Sequence, residues 1–196
     1  MIPAVSIVHN KTPIDDITFR FLLQFSPPEK QQRILRQRVK QNADSMVSGG
    51  ALARYMLWKE FCIPWDAHIA YGEFGKPYLS DYPDVHFNIS HSGQYVVCAV
   101  CNRPVGVDVQ EIAPYQPDVA AKVCSNVELS QIEASGNQAA EFTKAWTIKE
   151  AYLKMLGLGL GHELQAMEVP PYMNVQAKKY ISAFVSIVKK ELDYLI

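Results

Sequence analysis

The sequence predicts a mixed fold of the α+β (α/β) class, in which helices pack on short strands. Segments 44–61 and 141–156 carry apolar residues at the three- and four-residue spacing of a helix. Two apolar segments, 85–89 and 95–101, flank a short polar stretch, which is the pattern of a β-hairpin. Each half of the chain carries helices and a β segment, so the sequence leaves room for two similar units.

The N-terminal half is expected to begin with a strand and to continue with helices. Residues 3–9 alternate enough for a strand, and 13–25 form a short helix that a Ser-Pro-Pro sequence closes. Residues 29–40 are helical and basic, and 44–61 is a core helix. We assign the polar residues 90–93 to the turn of the hairpin, where side chains are exposed.

The C-terminal half opens with a third strand, because Val105, Val107 and Val109 alternate with Gly106 and polar residues. The further expected elements are helices at 117–122, 128–134 and 141–156 and a strand at 180–188. Gly157 is expected to stop the long helix, and 189–196 is compatible with a helix.

Composition excludes several classes of protein. The chain of 196 residues has 19 Lys and Arg against 20 Asp and Glu, and this net charge of -1 argues against a dedicated nucleic-acid-binding protein. With 48% hydrophobic residues, the chain is not intrinsically disordered. The longest apolar stretch, 95–101, is far shorter than the roughly 20 residues of a membrane span. The first eight residues lack a basic signal segment, so we expect a soluble, cytoplasmic protein.

The four cysteines are too few and too scattered for a disulfide framework. Cys98 and Cys101 form a CxxC sequence, but positions three apart point to opposite faces of a strand. We therefore interpret them as small buried hydrophobic residues rather than as a metal or redox pair.

Asp108 and Gln110 are two residues apart on the third strand, so their side chains leave the same face. Carboxylate and amide oxygens on one face suit a hard cation such as Mg²⁺. The alternative is a turn or capping role for Asp108 at the end of the strand.

The long helix places Trp146, Glu150 and Lys154 in successive i, i+4 positions. An ordinary exposed ion pair is one interpretation, with Trp146 as a core anchor. However, Lys149 and Lys154 flank Glu150 in an otherwise apolar helix, which favours convergence of these charges on an anion bridged by a metal.

Three further groups are candidates for binding an anion. His91 lies in the predicted hairpin turn, and Lys76 lies between Gly75 and Pro77 in another turn. The basic helix carries five cations, and two of them, Lys30 and Arg33, share a face. For each group alone, a solvated surface position is the alternative to a phosphate site.

Together, these pieces resemble the Sfp-type 4'-phosphopantetheinyl transferases over about residues 26–165, in order and in separation. The motifs are Gly75-Lys76-Pro77, Phe87-Asn88-Ile89-Ser90-His91-Ser92, Gly106-Val107-Asp108-Val109, and Trp146-Thr147-Ile148-Lys149-Glu150-Ala151 with Lys154, Gly157 and Gly159. Each motif alone is weak, but the last one together with the upstream Gly-Val-Asp-Val strand is specific.

The resemblance implies two pseudo-symmetric halves, 1–104 and 105–196, each a small antiparallel sheet packed with helices, with the active site in the cleft between them. It implies transfer of the 4'-phosphopantetheine arm from coenzyme A to a serine of an apo acyl or peptidyl carrier protein, with release of adenosine 3',5'-bisphosphate. It also implies a monomer without nucleic-acid or membrane partners. The alternative is a non-catalytic module on the same fold that binds coenzyme A or a carrier protein.

The resemblance also implies a chemical centre. Asp108, Gln110 and Glu150 would hold Mg²⁺, or Mn²⁺ in its place, and Glu150 would take the proton from the carrier serine. Lys154 would neutralise or protonate the leaving phosphate, and His91 would donate to the pyrophosphate.

The remaining implied residues bind coenzyme A. Lys30 and Arg33 match positions that hold the 3'-phosphate, and Lys76 and Ser90 lie near the adenine end. Pro77 and Lys149 complete the implied coenzyme A contacts. Glu128 matches a further acid of the family, for which a place near the metal and a proton relay both stay open.

Three departures from the family pattern stand out. Gln110 occupies a position that is acidic in many members, so the chain supplies two carboxylates to the metal instead of three. Ser45 stands where relatives commonly carry an Arg, and Arg36 or Lys40 is expected to compensate. Beyond Met167 the chain is short and resembles the family poorly, so we expect a reduced sheet in the second half.

Overall fold

The computed structural model describes residues 2–159, 164–171, 173–180 and 182–190. Over these ranges the strands form antiparallel sheets against which the helices pack, which confirms the predicted α+β class. The helices in these ranges are too short or too polar to cross a membrane.

The first half of the chain builds a three-stranded sheet in the order β1-β5-β4 and a separate short pair, β2-β3. Its elements are β1 (Ala4–His9), α1 (Asp16–Leu23), α2 (Pro28–Leu35), α3 (Lys40–Phe61), β2 (Ile69–Tyr71), β3 (Pro77–Leu79), β4 (His86–Ser92) and β5 (Tyr95–Cys101). The predicted first strand and core helix are confirmed. The basic helix ends at Leu35, earlier than expected.

The central strand β5 is buried along its whole length because both of its faces are covered. Val96, Cys98 and Val100 pack in one core with residues of α3. Val97 and Cys101 pack in a second core with the valines of the next strand. The predicted burial of both cysteines is confirmed, and neither takes part in a disulfide. Burial raises the pKa of Cys98 to about 12.

The second half builds a sheet in the order β6-β8-β7. Its elements are β6 (Val105–Glu111), α4 (Pro117–Val123), α5 (Asn126–Glu133), α6 (Gln138–Leu156), a 3-10 turn (Leu164–Ala166), β7 (Met173–Tyr180) and β8 (Ala183–Lys190). The sequence predicted one strand in this tail where the structure has two. We expected a reduced sheet in the second half, but both main sheets have three strands in the described ranges. The sequence was also compatible with a helix at 189–196. Residues 189 and 190 belong to β8 instead, and 191–196 lie outside the described residues.

The hairpin between β4 and β5 differs from the prediction. Ser90 and Ser92 belong to β4, where they pair with Val97 and Tyr95 of β5. Its turn is the two-residue sequence Gly93-Gln94, and Gly93 takes a left-handed conformation with φ 53°. Side chains assigned to an exposed turn therefore stand on a strand, which fixes their directions.

The helix α6 lies directly on β6. A Cβ atom at Gly106 would stand 1.9 Å from the carbonyl oxygen of Ala151 and 2.4 Å from the nitrogen of Met155. Only glycine permits this approach, and it brings the same face of β6, which carries Asp108, against α6. Gly157 ends the helix in a left-handed conformation, as predicted.

Candidate functional site

Four side chains from three elements meet at the junction of the two halves, and we call them the carboxylate cluster. β4 supplies Ser90, β6 supplies Asp108, and α6 supplies Glu150 and Lys154. Ser90, Asp108 and Glu150 are each at most 6% exposed. The i, i+4 spacing of Glu150 and Lys154 directs both toward β6.

Three of these groups form a closed set of hydrogen bonds. Lys154 Nζ lies 2.5 Å from Asp108 Oδ1 and donates to Ser90 Oγ at 2.8 Å. Ser90 Oγ in turn donates to Asp108 Oδ1 at 2.7 Å. One oxygen of Asp108 is therefore fully committed. Ser90, which the resemblance placed near the adenine end of the nucleotide, lies beside Asp108 and Lys154.

Two other carboxylate oxygens of the cluster have no such partners. Asp108 Oδ2 and Glu150 Oε1 are both buried, and neither has a hydrogen-bond partner among the residues that the structure describes. A buried acceptor without a partner costs about 1 to 3 kcal/mol, so such atoms need an explanation. Burial, and secondarily Asp108, raise the pKa of Glu150, while Lys154 opposes this shift. Two unpartnered carboxylate oxygens fit a hard divalent cation.

The third expected metal ligand is a neutral amide. No group of three or more His, Cys, Asp or Glu side chains in the described ranges is arranged to hold a metal, so protein carboxylates alone do not complete a site. Gln110 is half-buried on the same face of β6 as Asp108. It lines an open cavity of about 200 Å³ with Thr143 and Trp146.

A second cavity, which we call the cationic cavity, has a volume of about 480 Å³. Lys30, Arg33, Pro77 and His91 all line it, so the structure brings together predicted residues far apart in sequence. Burial and then Arg33 lower the pKa of Lys30. Burial, Lys154 and Lys30 lower the pKa of His91, while Asp108 opposes this shift. His91 lines the cationic cavity and directly follows Ser90 of the carboxylate cluster on β4.

Lys76 connects the loop before β3 with the end of α6. Its ammonium donates to the carbonyl oxygen of Met155 at 2.5 Å, at the helix end where the dipole favours a cation. Burial lowers the pKa of Lys76 to about 8. Its two neighbours, Gly75 and Pro77, line the cationic cavity.

Lys149 does not join Lys154. It is 3% exposed and donates to Val123 O at 2.8 Å, Leu164 O at 3.0 Å and Glu128 Oε2 at 2.7 Å. These bonds use all three protons of the ammonium. The expected convergence of Lys149 on a bound anion is thus wrong, because its side chain holds α4, α5 and the 3-10 turn against α6.

Glu128 is likewise committed away from the carboxylate cluster. It forms a capping box at the start of α5, in which its Oε2 accepts from the Ser125 N–H at 2.7 Å and Ser125 Oγ accepts from the Glu128 N–H. The same Oε2 accepts from Lys149. These contacts support neither of the roles that the sequence left open for Glu128, which are a place near the metal and a proton relay.

Ser45, which stands where relatives commonly carry an Arg, lines the cationic cavity. Lys40 does not compensate for it. Its ammonium pairs with Asp44 and donates to Ile14 O at 2.8 Å. Of Arg36 and Lys40, only Arg36 therefore remains a candidate to replace the phosphate contact of the missing arginine.

Asn88, Ser92 and Gly106 lie at the junction between β4, β6 and α6, although sequence reasoning gave them no function of their own. A glycine in the middle of a strand signals the close approach of another backbone, so Gly106 offered a usable signal. Asn88 offered a weaker one, as a lone amide on a strand whose neighbours Phe87 and Ile89 are apolar.

Known families match most of the chain. The sequence model described as 4'-phosphopantetheinyl transferase, N-terminal, matches residues 12–103. The model described as the 4'-phosphopantetheinyl transferase superfamily matches residues 104–187.

Curated relatives carry the same name. The 4'-phosphopantetheinyl transferase Sfp of Bacillus subtilis (strain 168) is 33% identical over 150 residues, 75% of this chain and 67% of that protein. The 4'-phosphopantetheinyl transferase gsp of Aneurinibacillus migulanus is 37% identical over 151 residues, with 75% and 62% covered. The human L-aminoadipate-semialdehyde dehydrogenase-phosphopantetheinyl transferase is 30% identical over 159 residues, with 72% and 51% covered. The chain thus spans about half to two thirds of these relatives' lengths, and it belongs to the 4'-phosphopantetheinyl transferase superfamily.

Proposed function

We propose that this protein is a Mg²⁺-dependent 4'-phosphopantetheinyl transferase that acts on an apo acyl or peptidyl carrier protein with coenzyme A as co-substrate. The observation that carries this proposal is the pair of unpartnered buried oxygens, Asp108 Oδ2 and Glu150 Oε1, beside a cavity lined by cations. Such an arrangement suits a pyrophosphate with its divalent cation.

In the proposed site, Asp108 and Glu150 hold Mg²⁺, or Mn²⁺ in its place, and the amide oxygen of Gln110 reaches it directly or through water. The bound ion would offset the charge that builds on the leaving bisphosphate. Lys154, held by Asp108 and Ser90, presents a second positive charge to the same leaving group.

The cationic cavity is the proposed site of coenzyme A. Lys30 and Arg33 bind the 3'-phosphate, and Lys76 and Pro77 contact the adenine end. His91 donates to the pyrophosphate from the border of the cavity. The position of Ser90 beside Lys154 favours a place near the pyrophosphate as well.

Transfer itself is a displacement at phosphorus. The carrier serine oxygen bonds to the phosphorus that carries the pantetheine arm, and the phosphorus–oxygen bond to adenosine 3',5'-bisphosphate breaks. Glu150 takes the serine proton, directly or through water. Lys154 neutralises or protonates the leaving phosphate.

We also propose that 1–104 supplies the nucleotide contacts and that 105–196 supplies the metal site and the catalytic helix. Both contributions come from one chain, so a monomer suffices for the cleft. This is consistent with β4 and α6 meeting in the carboxylate cluster.

The test is incubation with coenzyme A, Mg²⁺ and an apo carrier protein, followed by intact mass measurement of the carrier. We expect addition of the phosphopantetheine arm by the wild type and none by Glu150→Gln, which keeps the shape of the side chain. Glu141→Gln, in the first turn of the same helix and away from the carboxylate cluster, is the matched control. Binding of coenzyme A without transfer to any of several carriers would favour the non-catalytic module instead.

A further inference from the structure

The strands β4 and β6 lie side by side as edge strands of different sheets. They have no backbone ladder between them, yet β6 presents backbone N–H groups toward β4. The N–H of Val107 donates to Asn88 Oδ1 at 3.0 Å, and the N–H of Glu111 donates to Ser92 Oγ at 3.1 Å. Side chains of β4 therefore take the place of ladder carbonyls.

These contacts have a regular spacing. Asn88 and Ser92 are four residues apart, as are Val107 and Glu111, so the two strands have the same register at both contacts. Between the two contacts, Ser90 Oγ reaches Asp108 Oδ1 at 2.7 Å. Asn88 and Ser92 therefore contact the backbone of β6 on either side of Asp108, and Ser90 contacts Asp108 itself.

The register between β4 and β6 sets where Asp108 lies relative to β4, while the pairing of β6 with β8 and its packing on α6 set the face from which Asp108 points. A slip of one residue against β4 would move Asp108 by about 3.3 Å. No other sheet pairing fixes this register, since β6 pairs only with β8 in the described ranges. Asn88 is 4% exposed, so the loss of its acceptor leaves the Val107 N–H without water as a ready substitute.

We propose that Asn88 and Ser92 are positioning residues for the metal site, and this rests on the proposed function. They act through the backbone of β6 and fix the position of Asp108, which together with Glu150 would hold the cation. Neither residue touches a substrate in this role. Metal ligands tolerate displacements of only about half an ångström before affinity suffers.

The test compares Asn88→Ala with Asn137→Ala. Asn137 also accepts one backbone N–H, that of Ala140 at 3.1 Å, but at the start of α6 and away from β6. Mg²⁺ is titrated by calorimetry into each protein saturated with coenzyme A, without a carrier, and the titration into coenzyme A alone is subtracted. We expect Asn88→Ala to bind Mg²⁺ at least fivefold more weakly and Asn137→Ala to bind it like the wild type, even if both unfold at lower temperature.

Ser92 provides a second pair of variants in case Asn88→Ala does not fold. Ser92→Ala removes the acceptor, and Ser92→Thr keeps it on a residue suited to strands. We expect weaker Mg²⁺ binding by Ser92→Ala and recovery by Ser92→Thr. Lowered stability with unchanged Mg²⁺ affinity in the alanine variants would overturn the proposal. So would a wild type that binds no Mg²⁺, whereas Mg²⁺ binding without transfer would overturn the proposed function alone.

Discussion

Gln110 is the residue at which this chain departs most from the expected metal site. Replacement of its neutral amide by a carboxylate adds a third negative charge beside Asp108 and Glu150. We expect Gln110→Glu to tighten Mg²⁺ binding in the absence of coenzyme A by about tenfold, equivalent to about 1.4 kcal/mol.

Calorimetric titration of the coenzyme A-free protein measures this difference. Gln116→Glu is the matched control, because Gln116 lines the same cavity without sharing the face of β6 that carries Asp108. Equal Mg²⁺ affinities of wild type and Gln110→Glu would show that position 110 lies outside the metal site.

If Lys76 contacts coenzyme A as proposed, we expect the binding of coenzyme A to be sensitive to pH. Burial lowers its pKa from the ordinary 10.5 to about 8, so the ammonium is present below pH 8 and is lost as the pH rises through that value. An anion binds the charged form better and raises this pKa. We therefore expect coenzyme A affinity to fall above pH 8, by at most about tenfold per pH unit.

Fluorescence or calorimetric titration between pH 7 and 9.5 measures this fall. Lys76→Arg stays charged throughout and should show a flatter profile over the same range. A wild-type profile as flat as that of Lys76→Arg would mean that Lys76 does not face the bound anion.

Among the elements, the contact between α6 and β6 sets the geometry of the carboxylate cluster. A methyl group at position 106 meets backbone atoms of Ala151 and Met155, which cannot move without the whole helix. We expect Gly106→Ala to lower the free energy of unfolding by about 1 to 3 kcal/mol and to reduce transfer far more than this loss alone explains.

Urea unfolding and transfer assays measure the two effects. Gly136→Ala is the matched control, since a Cβ there meets no atom within 4 Å. Wild-type stability and transfer in Gly106→Ala would mean that α6 is free to move away from β6 without consequence for the cluster.

The elements that periodicity predicted are those with apolar faces. The helices α3 and α6 and the strand β6 each carry such a face, so the sequence indicated them. The strand β7 escaped prediction because it is an edge strand with exposed Lys178 and Lys179 and little apolar alternation.

The candidate site was predictable in its residue types and only partly in its contacts. Glu150 and Lys154 lie on one face of a helix, as their spacing indicates. Asp108 lies on the face of its strand that the alternating pattern indicates. Ser90 was assigned to a turn because small polar residues before a glycine are typical of turns, whereas the strand pairing continues through it, opposite Val97 of β5. Lys149 was misassigned because its partners are Val123, Leu164 and Glu128, whose nearness to it depends on tertiary packing that no local pattern encodes.

At the scale of the whole molecule, a net charge of -1 conceals two groups of opposite charge that lie next to each other. The cationic cavity draws on α2 and β4, and the carboxylates stand on β6 and α6. In the proposed function, coenzyme A would bring negative charge to the first group and Mg²⁺ would bring positive charge to the second. Since His91 and Ser90 are neighbours on β4, the two ligands meet at that strand, and the binding of each should strengthen the binding of the other.

Thermal unfolding tests this coupling, because a ligand at free concentration L that binds only the folded state stabilises it by RT ln(1 + L/Kd) and so raises Tm. We expect coenzyme A and Mg²⁺ together to raise Tm by more than the sum of their separate effects. Glu150→Gln should keep the rise caused by coenzyme A alone and lose the excess, since it removes one of the two charges that face the cation. Additive shifts in the wild type would mean that the two groups bind their ligands independently, which is incompatible with a shared pyrophosphate.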